Sequence, residues 1–210
     1  GNPLFSSVRV VRNGASPPVD SSDGDVLYSG MDESFTDDGV TNDHTYHYGV
    51  FALDTRGLES AGVLVTATPF AGITIDFEQG AIPTDLSGDW IISTNAYSGS
   101  YAMMNRDIGN SQSSSVAMEV EIPATGAFDV RFQYSTSTEN GYDYLRFDVD
   151  GTQQQAWAGS RSWSQYVQTV TGTPGGIVQL RWRYTKDGSV SSGSDTVYVD
   201  DIEVVSVAAP

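Results

Sequence analysis

Apolar and polar residues alternate with a two-residue period through most of the second two-thirds of the chain. The segment FDVRFQYS sets Phe128, Val130, Phe132 and Tyr134 on one face against Asp129, Arg131 and Gln133. VQLRWRYT does the same with Leu180, Trp182 and Tyr184 against Gln179, Arg181 and Arg183. No window of a dozen residues sustains a helical period. Strands are predicted over residues 73–78, 90–93, 101–105, 113–122, 127–138, 142–149, 153–158, 163–171, 177–185 and 196–205, separated by Gly-, Asn- and Asp-rich turns. Trp90, Phe132 and Trp182 are assigned to the core. Many short strands at this spacing predict an antiparallel two-sheet sandwich or jelly roll.

The first 69 residues read differently. SSVRVVR and DVLYSG are short strands, and TYHYGVFALD alternates Tyr46, Tyr48, Val50 and Ala52 against His47, Phe51 and Leu53. AGVLVTATP closes the segment, and TPFAG links it to the longer remainder of the chain. The predicted organisation is therefore all-β, with one module over 1–69 and a second over 70–210.

The last strand, DTVYVDDIEVV, is apolar and β-branched except where Asp200 and Asp201 stand side by side. Faces alternate at every residue, so one of two adjacent carboxylates must turn inward or lie on a bulge. Upstream, ITIDFEQG offers Asp76 and Glu78 on one face of a short strand. If the two strands are neighbours, these carboxylates converge without a basic residue in either segment. A buried carboxylate is costly without a partner, a cation or a proton, and the simplest resolution is a hard cation such as calcium, with a shell of about six to eight oxygens. The loop VDSSDGD, with Asp20, Asp23 and Asp25, is either a second calcium loop or a solvated acidic turn.

Composition narrows the partners. Ten basic residues against 27 acidic ones give a formal charge of −17, which repels nucleic acid and anionic membrane surfaces. No apolar run is long enough to insert in a membrane. There is no cysteine, so a secreted or cell-surface chain of this kind would rely on its core and on metal for stability. Gly1 does not open a signal peptide, so a mature or trimmed segment is expected. No nucleophile elbow, P-loop, dinucleotide fingerprint or flanked carboxylate pair is found, and His44 and His47 stand without further metal-ligating partners. The chain is read as no enzyme.

Two surfaces are candidates for ligand. Trp157, Trp163 and Tyr166 flank the turn AGSRS and either stack on sugar rings or belong to the core. Arg181 and Arg183 either pair with Asp129, Asp148 or Asp150, or present guanidinium forks to an acidic sugar.

The string TYHYGVFALDTRGLESAGVLVTATP, with VRVVRNGASPP and VLYSG before it, resembles the back half of a bacterial fibronectin type III domain. That resemblance implies an aromatic corner at Tyr46, whose hydroxyl meets upstream backbone. It also implies an incomplete sandwich, lacking two strands at its start. A chain boundary, packing on the neighbouring module, or strands from a partner chain would each account for this, and the terminal segments GNPLF and SVAAP are candidate donors.

The series DFEQG, GDW, SGSYAMM, YDYLRFDVDG, WAGSRSW and KDGSVSSGSDTVYVDDI resembles MAM-like and cleaved-adhesin jelly-roll domains of large secreted bacterial proteins. By that resemblance Glu78 and Asp200 are the leading calcium ligands and Asp76 and Asp201 the next, with carbonyls near Ser98 and Gly99 completing the shell. The function implied is a calcium-stabilised extracellular binding or adhesion module, attached to polysaccharide or a cell-surface glycan. The alternative is a structural spacer or subunit whose partners are neighbouring domains or copies of itself.

Overall fold

The computed structural model describes residues 5–42 and 44–207. Residues 1–4 and 208–210 of the two terminal segments considered as strand donors lie outside the described residues. The chain divides between Ala71 and Gly72 into two compact units.

The first unit is a single four-stranded antiparallel sheet of β1 (Phe5–Asn13), β2 (Asp25–Gly30), β3 (Tyr46–Asp54) and β4 (Val63–Ala67), in the order β2-β1-β3-β4. Val10 pairs with Val50 and Val11 with Gly49 across β1 and β3. Val11 and Phe51 are buried, and the Phe51 ring lies against Gly49 and Gly62, where a Cβ on either glycine would strike it. On β3, Val50 and Tyr48 line an apolar cradle of about 550 Å³ with Val8, Val10, Tyr28 and Phe35. The Tyr46 hydroxyl accepts the backbone N–H of Thr41 at 3.0 Å, the upstream bond expected of an aromatic corner. Arg12 and Tyr48 both donate to Asp37, and burial with this bond pushes the Tyr48 phenol up to about 12.

The acidic loop between β1 and β2 is a turn held by its own side chains. Asp20 accepts the N–H and hydroxyl of Ser22, Asp23 accepts the N–H of Val19, and Asp25 pairs with Arg12. Each carboxylate has a local donor, which favours the acidic-turn reading.

The second unit is a β-sandwich of antiparallel sheets. One sheet contains β13 (Ser160–Thr171), β10 (Ala127–Ser137), β15 (Thr196–Ser206), β8 (Ala102–Met104) and β7 (Ile91–Ser93) in that order, with β5 (Ile73–Ile75) also paired to β15. The other runs β12 (Thr152–Trp157), β11 (Tyr144–Val149), β14 (Ile177–Thr185), β9 (Ser113–Glu121) and β6 (Ser87–Gly88). Side chains from both sheets meet between them. Phe132 of β10 lies 5.1 Å from Phe147 of β11 and 5.5 Å from Trp182 of β14, ring centre to ring centre. Such tilted and edge-on aromatic packing contributes roughly 0.5–1.5 kcal/mol per pair beyond area burial.

β15 carries the irregularity its sequence demands. Val197 and Val199 are buried, and so are Ile202 and Val204, so the buried parity changes within the strand. An extra residue is needed, and it falls at the acidic doublet. Arg131 pairs with Glu203 and Gln133 with Asp200, leaving Asp201 and Ile202 opposite Phe132 alone. Asp201 takes a left-handed φ of 46°, which Asp tolerates better than a β-branched neighbour would.

Candidate functional site

The bulge fixes the first part of the site. Asp200 has no exposed surface, yet it follows the inward Val199 and so lies toward the sheet's outer side, beneath the loop before β8. Its Oδ2 accepts the backbone N–H of Tyr97 at 2.8 Å and of Ser98 at 3.3 Å, and its Oδ1 accepts that of Asp201 at 2.8 Å. The Ser98 hydroxyl donates to Asp201 at 3.0 Å. From the other side Glu78 accepts the N–H groups of Ser100 and Tyr101, each at 2.9 Å. Gly99 lies between, at φ 60°, and a Cβ there would fall 2.4 Å from the Glu78 carboxyl carbon.

These residues form a clamp on residues 97–101, which gathers Glu78, Gly99, Asp200 and Asp201 of the predicted calcium shell around one loop. Ile202 does pair with Ile75, so the two acidic segments are neighbours. But β5 ends at Ile75, and Asp76 turns back to accept the N–H of Glu78 at 3.1 Å. Phe77, at φ 59°, breaks the strand and is itself buried, so Asp76 and Glu78 do not share a strand face. The oxygens of Glu78 and Asp200 accept N–H groups of this loop, and no three of the predicted carboxylates lie within 4.8 Å of one another. Three acidic groups among the described residues do converge within that distance, and they could hold a metal ion, but they are Glu139, Asp143 and Asp187.

Burial pushes the Asp200 carboxyl above its ordinary range, against its backbone donors, and Asp201 beside it adds to the rise. A raised folded value means that the native state holds a proton the unfolded chain has lost. The associated stability is present below the ordinary carboxylate range and fades as pH rises through the shifted value. The stability gap between the wild type and Asp200→Ala should therefore narrow as pH goes from about 4 toward neutrality. Denaturant unfolding at a series of pH values checks this, and a gap that widens would reverse the sign.

The clamp presents an aromatic row. Tyr97 is 50% exposed, and its ring meets Trp163 edge-on at 6.0 Å. Trp163 in turn lies 6.1 Å from Tyr198. Tyr198 sits between the inward Val197 and Val199 and so faces outward, as does Trp163, which is three residues from the inward Tyr166. The row crosses β13, β10 and β15 on the outer face. Ser135, the β10 residue paired with Tyr198, donates to the Arg161 carbonyl.

The other predicted ligand residues go elsewhere. Trp157 is 6% exposed and packs at 4.2 Å on Tyr134 and at 6.1 Å on Phe132, so it belongs to the core rather than to a sugar platform. Tyr166 fills the same cluster, 5.1 Å from Trp157, with its hydroxyl on Gln168. Arg181 and Arg183 both grip the fully buried Asp148, at 2.8 Å and 3.1 Å, so their forks are engaged by the protein itself. Sequence reasoning passes over Tyr97 and Tyr198 because one lies in a loop and the other looks like an ordinary strand aromatic.

No family model and no curated protein matches the chain. Solved structures give weak likenesses. A family 61 carbohydrate-binding module in complex with β-1,4-galactotriose is 17% identical, covering 63% of this chain and 94% of its own, with a TM-score of 0.45. A xylan-binding domain from Paenibacillus barcinonensis is 13% identical over 66% of this chain and 95% of its own, with a TM-score of 0.47. The K3 cleaved adhesin domain of Lys-gingipain from Porphyromonas gingivalis is 14% identical over 65% and 100%, with a TM-score of 0.45.

Proposed function

We propose that this chain is a non-catalytic extracellular module that attaches a larger secreted bacterial protein to polysaccharide or to a glycan-bearing surface. The observation that carries the reading is the outward row Tyr97–Trp163–Tyr198 on a sheet whose other large aromatics are turned inward. Rigid aromatic rings side by side on a strand surface suit the apolar faces of successive sugar rings. The polar flank supplied by Ser98 and Asp201 suits their hydroxyls. Because the clamp fixes Tyr97 by its backbone, the ring is positioned without being buried, which lowers the ordering cost of binding.

The test is retention of the purified chain on a panel of polysaccharides by affinity electrophoresis. Trp163→Ala should weaken retention on the responsive polysaccharide about tenfold, a loss of roughly 1.4 kcal/mol. Trp163→Phe should recover part of it, and Arg181→Ala should leave it unchanged. Retention equal to the wild type in Trp163→Ala and Tyr97→Ala would overturn the assignment of this face.

One observation favours a second reading, a structural subunit that recruits further strands. Strand β4 closes the order of the first sheet at one side, with Val63 65%, Leu64 52% and Val65 52% exposed. An apolar edge of this kind accepts strand addition. Under this reading sedimentation velocity detects a defined oligomer that grows with concentration, whereas the leading reading requires no such assembly.

A further inference from the structure

The geometry points to a calcium site formed by Glu139, Asp143 and Asp187 at one end of the second unit. Each contributes a carboxylate oxygen, and these atoms lie within 4.8 Å of one another. Asp143 is fully buried, and Glu139 and Asp187 are half-buried. An independent observation shows that the cluster is built for a ligand. Asp143 uses Oδ1 to accept the N–H of Asp187 at 2.9 Å, but its buried Oδ2 has no hydrogen-bond partner. The buried Oε2 of Glu139 has none either. Two unpartnered buried carboxylate oxygens in one cluster are costly unless a cation meets them.

No basic side chain supplies that charge. The nearby Lys186 ammonium is committed to Asp195 at 2.5 Å and to the Ser191 hydroxyl at 2.8 Å. Glu139, Asp143 and Asp187 take part in no ion pair among the described residues. The donor set is all oxygen, with no histidine and no cysteine, which selects a hard cation over zinc or copper. Irregular loop geometry, with one ligand in the β14–β15 connection and two in the β10–β11 connection, suits calcium's tolerant shell better than the strict octahedron of magnesium.

The ion would join three connections at this end. Glu139 and Asp143 belong to the turn after β10, where the Thr138 hydroxyl also holds the Asp143 carbonyl. Asp187 opens the loop after β14, and its carbonyl accepts the N–H of Ser111 from the loop before β9. Binding would therefore order the stretch KDGSVSSGSD ahead of β15. It does not depend on the aromatic row.

The test uses the full chain, stripped of metal by chelation and then titrated with calcium by calorimetry, with thermal melts run alongside. The wild type should bind calcium in about the 10 µM to 1 mM range and melt higher in its presence. Asp143→Asn keeps Oδ1 as the acceptor for Asp187 and removes the charge at Oδ2. It should lose at least tenfold in calcium affinity yet melt above the wild type in chelator, because an uncompensated charge has gone. Asp187→Asn, at a half-exposed position, should lose affinity likewise and serves if Asp143→Asn fails to fold. Glu78→Gln should bind calcium as the wild type does. Absence of binding to the wild type would overturn the site, as would wild-type affinity in both Asp143→Asn and Asp187→Asn. Loss of calcium in Glu78→Gln alone would instead move the ion to the clamp. An equal response to magnesium would overturn the choice of metal.

Discussion

Replacing Trp182 by Ala should destabilise the second unit by about 3–5 kcal/mol, the largest single loss expected from one side chain in this molecule. Trp182 has no exposed surface and sits on the central strand β14, where Arg183 and Arg181 face the opposite way. Its ring meets Phe132 from the facing sheet and Phe147 from the neighbouring strand at 5.5 Å and 5.4 Å. Removing it opens a cavity between the two sheets that Leu145, Leu180 and Val199, each fully buried, cannot close without shifting strands. The melting temperature should fall by roughly 10 °C or more, read by near-UV circular dichroism or calorimetry. Trp182→Phe should cost much less. The indole N–H is buried without a partner, so the phenyl ring forfeits area but relieves an unsatisfied donor. A loss as large for Phe as for Ala would mean that the N–H has a partner the packing does not reveal.

The sheets were legible because half-buried strands write their burial into a period of two. Phe128, Val130, Phe132 and Tyr134 are all buried, as the alternation requires, and the same holds for Leu180, Trp182 and Tyr184. The acidic doublet in the last strand signalled a bulge for the same reason, since Val199 and Ile202 could both face inward only with an extra residue between them. What the pattern could not carry was non-local. Strand β6 is two residues long and is formed by close approach, with a Cβ on Gly88 falling 2.2 Å from the Ser115 carbonyl. Asp76 and Glu78 looked like a strand face because the positive φ of Phe77 has no sequence mark. Glu139 and Asp143 share one turn, but four strands, β11 to β14, separate them from Asp187, so only the fold brings the three together. The distinction between Trp157 and Trp163 also needed the fold, because β12 and β13 belong to different sheets and the turn between them reverses which side meets the core.

Asp200→Ala should have the second large effect, about 2–3 kcal/mol, together with loss of polysaccharide retention. The substitution leaves the N–H groups of Tyr97, Ser98 and Asp201 without their acceptor, and orphaned buried donors cost roughly 1–3 kcal/mol each. The full sum is not expected, because the wild-type carboxylate is itself buried at a cost, which its raised proton affinity records. Asp200→Asn should do little better than Ala. Its amide offers only one oxygen, so its NH₂ must face either the N–H groups of Tyr97 and Ser98 or that of Asp201, donor against donor. Loss of the clamp frees the loop that positions Tyr97 against Trp163, so binding should suffer more than the melting temperature alone suggests. The calcium response should survive in Asp200→Ala and vanish in Asp143→Asn, while polysaccharide retention should show the reverse order of sensitivity. That double dissociation separates two acidic sites that the sequence presents as one kind of feature. A buried carboxylate satisfied by backbone N–H groups organises a loop, whereas one left unpartnered beside two others needs a cation.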